Sequence, residues 1–236
     1  MLKLTLAPTH RHFVSLGDAQ SRSAGDYPGT ATLFYNWLLT IDPAYRMIPL
    51  ATDGATAATL RYVQLPRLRE MDTAPDVVTV TLGASDFSRL AFATDTVLRD
   101  LLAHGAATLA AIRTLSPNAI IVLATLYDPM DTTDAALSVG VARFNETLRE
   151  LTKAHGAIIT ETGAAFAGHG ASVGDPLSPP DVAAPELYLC AGADLVPVPN
   201  ERGAAVYADA LFAAYRTFVT DAAPEASFVF TDGSPL

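Results

Sequence analysis

The chain has 236 residues, 50% of them hydrophobic, and a formal net charge of −10 at pH 7. That length supports one large hydrophobic core, whereas the acidic balance excludes a wide basic surface for nucleic acid or an anionic membrane. One cysteine, Cys190, is too few for an internal disulfide or a thiolate metal site. We therefore expect a single domain over residues 1–236, with residues 221–236 forming a C-terminal tail packed on it.

The sequence carries no pattern typical of membrane insertion or secretion. No apolar run approaches the ~18 residues that a membrane span needs. The first twelve residues contain too few consecutive apolar side chains for a secretory signal. These observations predict a cytoplasmic protein with no membrane partner.

Five short apolar runs, rich in β-branched residues, alternate with longer segments of helical periodicity. The runs are bounded by Gly, Pro or Asp and cover residues 12–17, 45–51, 76–83, 119–127 and 157–162. Such runs suit strands that are buried on both faces of a parallel sheet. In the segments between them, apolar residues recur at helical spacing, as in Leu33, Trp37 and Ile41.

Five strands alternating with five helices predict an α/β fold of three layers, α/β/α, around a flavodoxin-like five-stranded parallel sheet. In this layout the first and third strands lie side by side. The segment from residue 162 to residue 200 is rich in Gly, Pro and Ala, which predicts loop for much of its length. His104 and His155 each precede a glycine in a helical segment, where a histidine would favourably meet a helix C-terminus.

The candidate site lies at the carboxyl ends of the strands, because open parallel sheets bind ligands there. The first strand ends in Gly17-Asp18-Ala19, Gly54 follows the second, and residues 83–86, Gly-Ala-Ser-Asp, follow the third. These blocks resemble those of the SGNH, or GDSL-type, hydrolase family, and the resemblance runs in the correct order through almost the whole chain. It implies the SGNH-hydrolase fold and the catalytic parts of a serine esterase.

The resemblance assigns the nucleophile to the position of Ala19, which has a methyl group where the family has a serine hydroxyl. It assigns one backbone donor of the oxyanion hole to Gly54. A second, side-chain donor falls at Ser85, where the family has an asparagine. Asp18 and Asp86 keep the acidic residues of the first and third family blocks.

The final family block, Asp-x-x-His-Pro, implies an acid at Asp194 and a base at the position of Val198. The alignment that gives Val198 counts back from Gly203, and no histidine occurs anywhere after His169. The base is therefore absent from this block as well.

These departures remove the parts that serine-dependent acyl transfer needs, namely a hydroxyl, a base to accept its proton and donors for the oxyanion. In a serine protease, losing either the serine or the histidine lowers turnover by about 10⁶. We therefore expect a catalytically degenerate esterase scaffold, a pseudoenzyme, that binds a small molecule or a partner in the strand-end crevice.

Two alternatives remain open. The chain could be an active carboxyl-ester or acetyl-ester hydrolase that uses Ser21 or Ser85 as nucleophile and His169 as base. It could also be an assembly subunit whose crevice is vestigial. A serine in such a turn more commonly forms a structural hydrogen bond or a cap.

Five carboxylates fall at or near successive strand ends: Asp18, Asp53, Asp86, Asp128 and Asp194. Oxygen ligands of this kind hold divalent cations, but the spacing matches no metal-binding loop. Aspartates are also common helix caps at such positions, and we favour that interpretation. We expect no metal and no cofactor.

Overall fold

The structure is a computed structural model that describes residues 10–71, 74–86, 95–181, 184–192 and 196–222. Its centre is a five-stranded sheet of β1 Arg11–Leu16, β2 Tyr45–Pro49, β3 Val77–Val80, β4 Ile120–Ala124 and β5 Ile158–Thr160. The strands are parallel and lie in the order β2-β1-β3-β4-β5. The predicted α/β class and flavodoxin-like sheet are confirmed, with the first and third strands adjacent.

Helices cover both faces of this sheet. They are α1 Thr30–Ile41, α2 (Ala57–Thr59, a π-helical Leu60–Gln64 and Leu65–Arg69), α3 Asp95–Leu115, α4 Ala135–Ala154, α5 Thr162–Ala165 and α6 Glu201–Ala222. The side chains of successive strand residues point to opposite faces of the sheet, and each face has its own hydrophobic core. Val14 packs in one core with side chains of α2, α3 and α4, whereas Phe13 packs in the other with α1 and α6.

Most of the described residues of 162–200 lie in turns or loops, as predicted, but the segment also contains two regular elements. Residues Thr162–Ala165 form α5, and a hairpin pairs β6 Leu189–Ala191 with β7 Pro197–Pro199. Prolines are tolerated in β7 because the sheet formed by this hairpin has two strands. Each strand therefore has an outer edge at which no neighbouring strand needs a backbone N–H donor. The Pro-rich composition concealed this pairing.

The two predicted helix ends have different outcomes. His155 is the C-cap residue of α4, as predicted. His104 lies inside α3, so its assignment to a helix end was wrong. A Cβ at Gly105 would lie 3.2 Å from the Leu151 side chain, so this glycine marks a close approach of α3 and α4 and not a helix terminus.

The last helix reaches into the predicted tail. Helix α6 continues to Ala222, so the first two residues of the segment 221–236 are helical. Residues 223–236 lie outside the described residues. None of the described helices is both long and apolar enough to cross a membrane.

Candidate functional site

The turn after β1 is held by its backbone. Gly17 has a φ of +122°, and a Cβ there would lie 2.3 Å from the Thr81 carbonyl oxygen. Gln64, at the end of the π-helical segment, clamps this glycine from the other side. The Gly17 N–H donates to Gln64 Oε1, and Gln64 Nε2 donates to the Gly17 carbonyl, both at 2.8 Å. This position therefore requires glycine, and Gln64 fixes its orientation.

Asp18 is buried in the turn after β1. Its Oδ1 accepts from the Gln20 N–H at 3.1 Å, which caps the short 3₁₀ turn Ala19–Ser21. Its own N–H donates to Thr81 Oγ1 at 3.1 Å. Burial raises the pKa of the Asp18 carboxyl, while nearby donors on Gln20, Thr81 and Ser85 act in the opposite direction. Its Oδ2 makes no hydrogen bond of ordinary geometry with the described residues.

Ala19 opens the 3₁₀ turn and is half-buried, whereas its neighbours Asp18 and Gln20 are each 1% exposed. The predicted nucleophile position is thus partly exposed, whereas the residues on either side are buried. A methyl group there has no lone pair with which to attack a carbonyl carbon.

Two tyrosines connect distant elements around the turn: Tyr207 reaches the turn itself, and Tyr127 reaches β7. The Tyr207 hydroxyl, on α6, donates to Gln20 Oε1 at 3.2 Å. The Tyr127 hydroxyl donates to the Pro197 carbonyl in β7 at 2.9 Å. Burial raises the pKa of both phenols, so both stay neutral donors. The sequence analysis missed Gln64, Tyr127 and Tyr207, although a glutamine among the apolar positions of α2 was a signal.

The loop that carries Gly54 lies beside the Ala19 turn. The Thr52 N–H donates to the Gly17 carbonyl at 3.1 Å, and the Arg22 guanidinium lies 3.2 Å from the Asp53 carboxylate. Gly54 itself has a φ of +68°. The structure therefore brings together the loop of Gly54 and the turn of Ala19.

The residues after β3 lie beside Asp18 and the start of α2. Ser85 is 2% exposed, and its backbone N–H lies close enough to the Asp18 carboxyl to lower its pKa. The Asp86 carboxylate accepts from the Ala57 N–H, with Oδ2 at 3.1 Å, at the start of α2. Asp18, Gly54, Ser85 and Asp86 thus surround one site.

Val198, the predicted position of the base, lies in the β6–β7 hairpin, which packs against the Ala19–Ser21 turn. Val198 pairs with Cys190 in this hairpin and is 2% exposed. The Tyr27 hydroxyl donates to the Pro199 carbonyl at 3.1 Å and anchors the same strand. Asp194, the predicted acid, lies outside the described residues.

The two substitute residues have structural partners. Ser21 is 4% exposed, and its Oγ lies 3.1 Å from Thr81 Oγ1. The His169 ring stacks on Tyr188 at 3.8 Å, and its Nδ1 lies 2.8 Å from the Glu186 carbonyl oxygen. Neither arrangement joins the serine to the histidine.

The remaining histidines lie elsewhere in the fold. The chain has five in all. His10 and His12 are at the amino end of β1, His104 is inside α3, and His155 ends α4. These four histidines lie outside the Ala19–Ser21 turn and outside the β6–β7 hairpin.

The strand-end carboxylates make local contacts. Asp128 accepts from the Met130 N–H at 2.9 Å and from the Ser138 hydroxyl at 2.5 Å. Asp53 pairs with Arg22, and Asp86 holds the first turn of α2. Among the described residues, no three His, Cys, Asp or Glu side chains are grouped so that they could hold a metal ion.

Comparison with known proteins gives the family. Residues 17–189 match the GDSL-like lipase/acylhydrolase family, which is more than half of the chain. The chain belongs to this family. The matched range begins at Gly17 and ends at Leu189, before the strand that contains Val198. Among curated proteins, no relative matches the chain significantly.

Several solved structures share the fold. The lipase Lip_vut3 from a goat rumen metagenome is 19% identical, with a TM-score of 0.62 over 86% of this chain and 97% of that chain. Axe2, an acetylxylan esterase from Geobacillus stearothermophilus, is 18% identical, with a TM-score of 0.61 over 86% and 93%. An extracellular lipase from Streptomyces rimosus is 19% identical, with a TM-score of 0.57 over 86% and 99%. At these identities the similarity establishes the fold.

Proposed function

We propose that this GDSL-family chain has lost serine-dependent ester hydrolysis and binds a small ester-like or acid-like molecule in the crevice at the carboxyl ends of its strands. The observation that carries the proposal is that the expected nucleophile and the expected base are both absent, from two elements that pack against each other. Ala19 has a methyl group at the accessible position of the turn, and the neighbouring β7 contributes Val198 in place of a base.

The retained backbone supports a binding role. Gly17 and the Gly54 loop keep their positive-φ conformations, and Gln64 still clamps Gly17 by two hydrogen bonds. Backbone N–H groups held in such turns can bind a carbonyl or carboxylate oxygen without any catalytic side chain. A crevice that has lost its nucleophile but not this frame fits ligand binding without turnover.

Family membership supports the second candidate, ester hydrolysis by a non-standard nucleophile. Ser21 is two residues from Ala19 and is the serine nearest to that position in the sequence. For this activity Ser21 Oγ must leave Thr81 and gain a base, because a serine hydroxyl is weakly nucleophilic at its free pKa.

A labelling experiment separates the two candidates. Under the binding proposal a fluorophosphonate probe leaves the wild-type protein unlabelled, since it requires an activated serine. Stoichiometric labelling that disappears in Ser21→Ala supports the hydrolase and contradicts the proposal. The double variant Ala19→Ser, Val198→His, with its fold checked by circular dichroism, is the reference for a restored site.

Ligand binding is tested separately by thermal shift with short carboxylic acids and their esters. A ligand at about 100 times its dissociation constant adds about 2.7 kcal/mol of stability. The variant Ala19→Leu, which fills the accessible position, removes the shift. Ala213→Leu, at an exposed position on α6, is the control of equal size and keeps it. A shift that survives Ala19→Leu contradicts this location.

A further inference from the structure

A cavity lies at the amino ends of the strands, on the opposite side of the sheet from the Ala19 turn. Its volume is about 410 Å³, within the ~300–1,000 Å³ range of small-molecule sites. Its lining includes Arg11 and Tyr45, the first residues of β1 and β2, and Asp76, which directly precedes β3. We call this feature the amino-end cavity. No residue of the Ala19 crevice contributes to it.

The polar groups of the amino-end cavity include hydroxyls that are weakly satisfied. The Tyr45 and Tyr215 hydroxyls lie 3.4 Å apart, a long separation for an O–H···O hydrogen bond. Ser116 is 3% exposed, and its Oγ has no hydrogen-bond partner among the described residues. A buried hydroxyl without a partner costs free energy, and a bound ligand with a polar group can satisfy it.

Apolar side chains make up much of the remaining wall. Ile41, at the end of α1, and Val219, in the last turns of α6, line the cavity with Pro75 and Ile120. Apolar walls with a few convergent polar groups are the usual composition of a small-molecule site. This composition suits an apolar ring that carries one or two hydrogen-bonding groups.

The charges of the cavity balance one another. The Arg11 guanidinium lies 4.0 Å from Asp76 and 3.7 Å from Asp42, and it lies over the Tyr45 ring. Arg216 adds a second cation. The C-terminal ends of α1, α3 and α6 point to this edge and contribute partial negative charge. An ionised ligand would disturb this balance, whereas a neutral one would not.

We propose that the amino-end cavity is a binding site for a neutral molecule with one apolar ring and one or two hydroxyl groups. The ring packs against Ile41, Val219 and the tyrosine side chains. The hydroxyls bond with the Tyr45–Tyr215 pair and with Ser116, which reaches the ligand by rotation to another staggered rotamer. This site is separate from the crevice, and its occupancy does not depend on the proposed function of the crevice.

Three probes that share a ring and a phenolic hydroxyl test the charge preference: neutral 4-(hydroxymethyl)phenol, anionic 4-hydroxybenzoate and cationic tyramine. Isothermal calorimetry on the full chain should give saturable binding that is tightest for the neutral probe. Tighter binding of either charged probe overturns the proposal, as does the absence of saturable binding by all three.

Two variants locate the site. Val219→Trp fills the cavity and should weaken binding more than tenfold. Val139→Trp, at an exposed position on α4, is the matched control and should leave binding unchanged. Ser116→Ala should weaken binding about fivefold, as expected for one lost neutral hydrogen bond, without lowering the melting temperature of the unliganded protein. Binding that is insensitive to Val219→Trp, or a Ser116→Ala variant that loses stability but not affinity, contradicts the assignment.

Discussion

The turn at Ala19 and the hairpin at Val198 are held in different ways. In the turn, the backbone frame is intact: Gly17 keeps its left-handed conformation, and Gln64 holds both of its backbone polar groups. In the hairpin, Val198 is buried as an ordinary apolar strand residue. The frame of the turn is made by backbone groups and by Gln64, so it does not require a particular side chain at position 19.

The largest effect is expected at Gly17. Replacing Gly17 with Ala forces a φ of +122° on an L side chain and places its Cβ 2.3 Å from the Thr81 carbonyl oxygen. We predict a loss of about 4 kcal/mol in the free energy of unfolding, measured by urea denaturation. The control Gly168→Ala has a φ of +82° but meets nothing within 4 Å, so it should cost about 1 kcal/mol. Equal losses would show that the close approach to Thr81 is unimportant.

The next largest effect is expected at Gln64, whose side-chain amide can be compared with that of Asn145. Gln64→Leu leaves the buried Gly17 N–H unpaired and removes one of the two hydrogen bonds to the Gly17 carbonyl, and it should cost about 3 kcal/mol. Asn145 clamps Leu126 after β4 in the same way, with both hydrogen bonds at 2.7 Å. Asn145→Leu should therefore cost a similar amount. The Gln64 variant alone should also weaken ligand binding in the crevice.

A substitution at Asp18 tests how its buried carboxyl makes the stability of the fold depend on pH. Because its pKa is raised in the folded state, the unfolded chain releases this proton at lower pH, and stability falls as pH rises from the unfolded value through the folded one. Asp18→Asn removes this dependence and keeps an oxygen for the Gln20 N–H. The variant should be more stable than wild type at pH 7, on the order of 1 kcal/mol, and the advantage should vanish below pH ~4. A variant less stable at pH 7 would indicate that the ionised form is the favoured one.

The smallest effects are expected from Tyr207, which anchors the Ala19 turn, and Tyr27, which anchors the β6–β7 hairpin. Tyr207→Phe removes the hydrogen bond to Gln20, and Tyr27→Phe removes the one to Pro199. Each should cost about 1 kcal/mol or less in the free energy of unfolding. The loss should be larger for Tyr207, which is fully buried, than for the partly buried Tyr27. The reverse order would place the tighter anchor on the hairpin.

The sequence predicted the sheet well because its strands are buried on both faces and read as continuous apolar runs. The strand ends followed from that pattern, and their glycines and acids gave the resemblance to the family. The hairpin was missed because Pro197 and Pro199 read as loop residues. Gln64, Tyr127 and Tyr207 were missed because their roles depend on contacts between elements that are distant in the sequence.

The amino-end cavity could not be found by reading strand ends. Its residues come from the first positions of β1, β2 and β4, the last turns of α1 and α6, and the segments that precede β3 and follow α3. None belongs to a short motif. The sequence can place each of these residues at an element boundary, but the packing of the helices decides whether a cavity remains between them.

The central claim is most directly tested by steady-state hydrolysis of p-nitrophenyl acetate by the purified wild-type chain. The account predicts a rate proportional to substrate and equal to that of Ala19→Leu, because no side chain at this position can attack the ester. The variant Ala19→Ser, Val198→His provides the comparison for a restored pair. Saturable turnover by the wild type that Ser21→Ala abolishes would contradict the account.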